Sequence, residues 1–181
     1  PIYYMTSLLN ASSNKSDGID KRKYVNDCLL NRIKIYAPDI NSSKMEAYPH
    51  DNGIKCNLTM IRGVDSISSK IIEEREKNGL YKDFIDCITR LSSIGINKSA
   101  LESLIRSGCL DTIGNRDQMD YYGWQLLQSI RKKQRRMSQF TSILDDDAIE
   151  LPNMSSAPRI DTASRNRMSV EYLELYSLKE E

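Results

Sequence analysis

The chain has 181 residues, 39% of them hydrophobic and 28% charged, with a formal net charge of +1 at pH 7. That composition fits a folded globular protein with one modest core, and no apolar run nears the roughly 18 residues of a membrane span. Four scattered cysteines (Cys28, Cys56, Cys87, Cys109) and a lone His50 give neither a zinc spacing nor a disulfide framework, so reduced thiols in a cytoplasmic protein are expected.

In chain order, Pro1-Ile2-Tyr3-Tyr4 has no basic stretch ahead of an apolar one, so it is no signal peptide. The missing initiator Met suggests a fragment or a processed chain. An apolar helix over Tyr3 to Leu9 should give way to a polar loop, Asn10 to Gly18. Asp20 should cap a second helix that places Tyr24, Cys28 and Leu29 on one face and ends near Asn31. Ile33-Lys34-Ile35-Tyr36 alternates like a short strand, and Pro38-Asp39 turns the chain. Ile54 to Leu58 reads as extended, Leu58 to Ile61 as one helical turn, and Arg62-Gly63-Val64-Asp65 as a tight hairpin. Asp65 or Ser66 should cap a helix through Ile67, Ile71 and Ile72, stopped by a left-handed Gly79. A further helix from Tyr81 or Lys82 to Arg90 carries Phe84, Ile85 and Ile88. After the turn Ser92 to Ile96, Asn97 should cap a third helix, with Leu101, Leu104 and Ile105 inward and Gly108 at its end.

Residues 116–140 read as one amphipathic helix with Met119, Tyr122, Leu126, Leu127 and Ile130 on its buried stripe. Its end is basic, from Arg131 to Arg136, and residues 116–144 hold six Lys/Arg against two Asp/Glu. Residues 145–181 reverse this, with four against nine. Such a contrast fits local contact with nucleic acid, and charge alone fits a solvated helix and tail equally well. Asp145-Asp146-Asp147 reads as a solvated loop, since two-metal chemistry needs carboxylates on rigid neighbouring elements. Leu151 to Pro158 has linker composition, and Val170 to Leu178 can form a short helix.

The segment Ile61-Arg62-Gly63-Val64-Asp65-Ser66 is the first candidate for chemistry. A sharp turn before a helix aims first-turn N–H groups outward, where they and the helix dipole form a phosphate site. This resembles the helix-hairpin-helix motif, which grips a strand without reading bases. Asp65 stands where that motif has its second Gly; it can serve as a cap, or repel a phosphate and leave the turn purely structural. The candidate DNA contacts are Arg62, Gly63, Val64, Asp65, Ser66 and Lys70 at the first turn, Asn97 and Lys98 at the second. Arg131, Lys132 and Arg135 add to them at the basic helix end, where two or three cations can face a duplex together.

The wider sequence resembles bacterial DNA polymerase III alpha subunits. Asp20 to Cys28 and Pro38-Asp39-Ile40-Asn41-Ser42-Ser43 look like the C-terminal edge of that family's fingers domain. Ile61 to Val64 and Ile71-Ile72-Glu73-Glu74-Arg75 look like the first half of the hairpin region that follows. Phe84-Ile85-Asp86-Cys87, Asn97-Lys98, Leu101 to Ile105 and Gly108-Cys109-Leu110-Asp111 look like its second half. Asn115-Arg116 resembles the opening of the next helix, and Glu171 to Tyr176 the approach to an oligonucleotide-binding domain. The resemblance implies a non-catalytic region that grips double-stranded DNA; the parent polymerase would use Mg2+ held by palm aspartates that have no counterpart here. It also implies a sliding-clamp peptide nearby, for which Gln139, Phe140, Ile143 and Leu144 are the candidates. Their order departs from the family form, and Phe140 packing on its own helix is the alternative. A clamp-interaction module and a stand-alone helix-hairpin-helix protein are the competing readings.

The resulting expectation is a mainly α fold with tandem helix-hairpin-helix motifs and at most short strands. Its divisions are a fingers-like edge (1–53), the hairpin region (54–115), the long helix with its basic end (116–144) and an acidic C-terminal segment (145–181). No cofactor, metal, catalytic residue or membrane contact is expected within them.

Overall fold

The alternation at Ile33 to Tyr36 becomes the first strand of a small sheet. In the computed structural model, which describes residues 1–13, 19–139 and 156–173, β1 (Lys34–Tyr36), β2 (Tyr48–His50) and β3 (Gly53–Lys55) lie in the order β1-β3-β2. β3 is parallel to β1 and antiparallel to β2, so that Ile54 lies between Ile35 and Pro49. Helices α1 (Ile2–Ser13) and α2 (Ile19–Leu30) pack on this sheet, burying Met5, Leu9, Val25 and Cys28 with Ile54.

Several sequence expectations change in this first segment. Helix α1 continues through Asn10 to Ser13, which read as loop. The Asn10 amide is held there by the Ala47 backbone, donating to its carbonyl at 2.9 Å and accepting from its N–H at 2.8 Å. Helix α2 already contains Asp20 instead of starting after it as a cap. Leu29 is exposed; Val25, three residues before Cys28, takes the inward position expected of it.

A 3-10 turn (Leu58–Met60) leads into α3 (Asp65–Asn78), α4 (Phe84–Ser93), α5 (Lys98–Arg106), α6 (Arg116–Gln139) and α7 (Thr162–Tyr172). Neither Asp65 nor Ser66 caps α3. Val64 occupies that position with helical backbone angles (φ −103°, ψ −11°) and no side-chain bond. Asp65 instead lies in the first turn, where its charge favours the positive end of the helix. Gly79 has the expected positive φ, but φ 83° with ψ 179° is the extended mirror region open essentially to glycine, not the left-handed helical one. Helix α4 begins later than expected because Asp83 caps it, accepting from the Asp86 N–H at 2.8 Å. Asn97 caps α5 as expected, accepting from the Ala100 N–H at 2.8 Å. Asp161 caps a helix that starts at Thr162 and takes in Val170 to Tyr172, the described part of the expected Val170 to Leu178 helix; residues 174–178 lie outside the described residues.

One apolar cluster runs from Met5 to Leu173, so the fingers-like segment and the hairpins share a core. Arg75 joins them. It is buried on α3 and donates to the carbonyls of Ile40 (2.7 Å) and Ser43 (2.8 Å). Arg90 joins α3 to α4. It meets the Glu74 carboxylate at 2.6 Å and Asp86 at 3.1 Å, donates to the Gly79 carbonyl at 2.7 Å and covers the Tyr81 ring. Burial alone would raise Glu74, yet the hydrogen bonds and charge of Arg90 with those of its neighbours hold its carboxyl below the usual value. All four cysteines are buried and free; burial pushes the Cys56 thiol up to about 12, so it behaves as a neutral core group.

Replacing Arg75 with Ala leaves two carbonyls without their charged donor. The expected loss is about 3 kcal/mol in urea unfolding, with Arg75→Lys restoring only part, since an ammonium cannot span both acceptors in a fixed fork. A loss under about 1 kcal/mol would show that water satisfies these carbonyls.

Candidate nucleic-acid interface

The first turn is built from Ile61-Arg62-Gly63-Val64. Gly63 adopts φ +73°, a conformation a Cβ would strain by about 1–2 kcal/mol. The turn closes through the Val64 N–H on the Ile61 carbonyl at 3.1 Å, and the Val64 side chain is fully buried. Val64 was expected among the DNA contacts; instead it anchors the turn, because its amide is engaged and its side chain belongs to the core. Gly63, Arg62, Asp65, Ser66 and Lys70 are all exposed. The Arg62 N–H donates to the Tyr172 carbonyl at 2.8 Å, leaving its side chain as the part open to a ligand.

The second turn, Ile94-Gly95-Ile96 between α4 and α5, repeats the design. Gly95 is exposed at φ +83° with open space where a Cβ would stand. Ile96 is fully buried, and its N–H bonds the Leu91 carbonyl at 3.1 Å. Gly63-Val64 and Gly95-Ile96 are thus equivalent pairs: an open glycine followed by a buried anchor. Gly95 is not among the contacts expected from the sequence, although the same glycine–apolar pair stands there before a capped helix. Asn97 and Lys98 are exposed at the start of α5, but Asn97 uses its side chain as the cap. Lys98 lies 3.8 Å from Glu102 and over the Trp124 ring, so its charge is partly balanced.

The two turns meet. A Cβ built on Gly63 would come 3.9 Å from the Ser99 side-chain oxygen, so the turn ahead of α3 lies against the first turn of α5. First-turn amides of a helix have no intrahelical acceptor and carry the positive end of the dipole. Arg62, Lys70 and Lys98 are exposed near these ends, with Asp65 opposing them, a chemistry that suits an anion.

The basic end of α6 divides its labour. Arg131, expected to contact DNA, is half-buried and its guanidinium donates to the Ile96 carbonyl. Gln134 accepts from Ser92 Oγ at 2.8 Å. Both hold the second turn in place, which corrects the reading of Arg131 as a free phosphate ligand. Lys132 and Arg135 are exposed, three residues apart on one helix face. Gln139 is the last residue of α6; Phe140, Ile143 and Leu144 lie outside the described residues, as do Asp145, Asp146 and Asp147. Among the described residues no cluster of three His, Cys, Asp or Glu is placed to hold a metal, and no helix is long and apolar enough to cross a membrane.

Comparison with known proteins bears on this surface. A family model described as a helix-hairpin-helix motif matches residues 32–119, both turns included. The DNA polymerase III subunit alpha of Deinococcus radiodurans is 36% identical over 120 residues, 66% of this chain and 9% of that protein. Its counterpart in Thermus aquaticus is 28% identical over 178 residues, 97% of this chain and 14% of the relative. That of Borreliella burgdorferi is 38% identical over 114 residues, 62% of this chain and 10% of the relative. The chain therefore spans about a tenth of the length of these relatives.

Substituting Ala at Gly63 or at Gly95 should each cost about 1 kcal/mol of stability through backbone strain alone. Space for the methyl group exists at both, so packing adds nothing. Equal unfolding midpoints for parent and both variants would deny the turns their left-handed geometry.

Proposed function

Because the chain is homologous to one stretch of bacterial DNA polymerase III alpha subunits, we propose that it is a DNA-binding region that holds duplex DNA by its backbone during replication. It reads no sequence and takes no part in nucleotidyl transfer or in handling the Mg2+ that transfer uses. The observation that supports this reading is the approach of the first turn to the start of α5, which would let both helix starts face one sugar–phosphate chain. Val64 and Ile96 bury beneath them, so each turn is rigid before any strand arrives, and little ordering entropy opposes contact.

Phosphate contacts without base contacts predict weak binding, roughly 10⁻⁴ to 10⁻⁶ M, with equal affinity for unrelated duplexes. Anisotropy with labelled duplexes across a salt series is the test. The combined Arg62→Glu and Lys70→Glu variant should bind every duplex more weakly, and its log K against log salt should flatten by about one for each phosphate no longer neutralised. EDTA should leave binding unchanged. Parent-like affinity in the charge-reversed variant would remove the first turn from the interface.

Docking to a sliding clamp is the second reading. It rests on the sequence Gln139, Phe140, Ile143 and Leu144, of which Gln139 ends α6 and the others lie outside the described residues. An extended or helical peptide with spaced apolar residues suits a groove on a partner. Replacing Gln139 and Phe140 together with Ala should abolish clamp capture and spare duplex binding; capture at the parent level would rule this peptide out.

A further inference from the structure

The sheet face turned away from α1 and α2 has no part in the duplex interface. Alternation along the strands turns Ile35, Ile54 and Pro49 toward the helices. Tyr36, Lys55 and Tyr48, which share one row of the register, therefore point outward, with Lys34, Gly53 and His50 in the next row. Rings from the two outer strands meet across the sheet. Tyr36 and His50 stand edge to face with centroids 5.3 Å apart, and His50 meets Tyr48 the same way at 6.2 Å. The Tyr36 hydroxyl donates to the Asn52 side chain at 3.0 Å and the Tyr48 hydroxyl to the Ser42 carbonyl at 3.1 Å. Both tyrosines are half-buried, while the His50 side chain is 48% exposed.

Lys34 and Lys55 share these outward rows of the register, and Lys44 lies beside Tyr48. Lys34 and Lys44 are exposed, Lys55 is half-buried, and the Lys44 ammonium sits 4.8 Å from the Tyr48 centroid. Asp51 opposes them, its carboxylate 3.6 Å from the His50 ring.

We propose that this face is a stacking platform for single-stranded nucleic acid, with bases lying against Tyr36, His50 and Tyr48 and phosphates drawn to Lys34, Lys44 and Lys55. Aromatic rings on an open sheet face suit unpaired bases, because every base has a π-face to offer and needs no donor–acceptor code. A duplex cannot use them, since its bases already stack on one another and present only edges and phosphates. Edge-to-face packing and tethered hydroxyls fix the rings beforehand, which lowers the ordering cost of stacking. An apolar protein partner would find few aliphatic groups here and would have to desolvate three ammonium groups. The proposal does not depend on the hairpin surface.

The chain has one histidine, so the His50 imidazole protons are an unambiguous NMR probe. Titrating the whole chain with a short oligothymidylate should shift them by ring currents, whereas a blunt duplex should not. Tyr48→Ala should weaken oligothymidylate binding about tenfold, the effect of removing one stacked base, and leave duplex affinity unchanged. Arg62→Glu should do the reverse, which separates this surface from the hairpins. Should Tyr48→Ala not fold, the exposed pair Lys34→Glu and Lys44→Glu should still reduce single-strand affinity several-fold. A stationary His50 at saturating oligothymidylate overturns the proposal. So does an equal shift with polyglutamate, or parent-like single-strand affinity in a folded variant.

Discussion

The close approach of α6 to the second hairpin sets the geometry on which the rest of the structure depends, and Gly123 permits it. A Cβ at that position would come 3.0 Å from Ile105 Cδ1 and 3.3 Å from Phe84 Cζ, tighter than an alanine tolerates without displacing both side chains. With no side chain at Gly123, α6 lies directly on α4 and α5, and Leu126, Leu127 and Ile130 close the core beneath it. Glycine inside a helix costs up to about 1 kcal/mol relative to alanine, and here that cost is offset by contact between α6 and both arms of the hairpin. The same approach brings Arg131 and Gln134 onto Ile96, Ser92 and Ser93. The orientation of the second turn therefore follows from packing farther back along α6.

The C-terminal helix is held by different physics. No residue within α7 is buried; Leu173, its cap, is the apolar anchor. Polar groups supply the remaining contacts. Arg165 pairs with Asp117, Arg116 donates to Ser169 at 2.7 Å, and Arg106 donates to the Tyr172 hydroxyl at 2.9 Å. Asp117 is nearly inaccessible, so its pair with Arg165 is less screened than a surface pair. The chain then closes the Tyr172 carbonyl on the Arg62 N–H, linking the acidic C-terminal segment to the first turn.

Much of this was legible in the sequence because it is local. Asn97 three residues before Ala100, glycine at each turn, and Leu101, Leu104 and Ile105 at helical spacing are all short-range signals, and the helices they imply are where the structure has them. What escaped reading depends on distant partners. Asn10 looks like a loop residue until Ala47 is seen beside it. Tyr48 to His50 carries no strand signal, since a three-residue segment containing proline has no period of its own, and it becomes a strand only by pairing with β3. Val64 and Arg131 look like ligands by position in a motif, and only burial and a carbonyl acceptor show that each supports a turn. The meeting of Gly63 with Ser99 spans 36 residues of chain and leaves no trace in either segment alone.

How the cations are distributed constrains any DNA contact. Arg75, Arg90, Arg106, Arg116 and Arg131 all donate to carbonyls or carboxylates inside the fold, and Glu74, Asp86, Asp111, Asp117 and Asp120 answer arginines. Guanidinium groups are therefore concentrated in structural roles, where a planar fork of donors can satisfy several acceptors at once. The surface beside the turns is left mainly with Arg62, Lys70 and Lys98, and that at the end of α6 with Lys132, Arg135 and Arg136. Lysines and arginines are mixed among these exposed cations, and each would add a counterion-release contribution to a DNA contact.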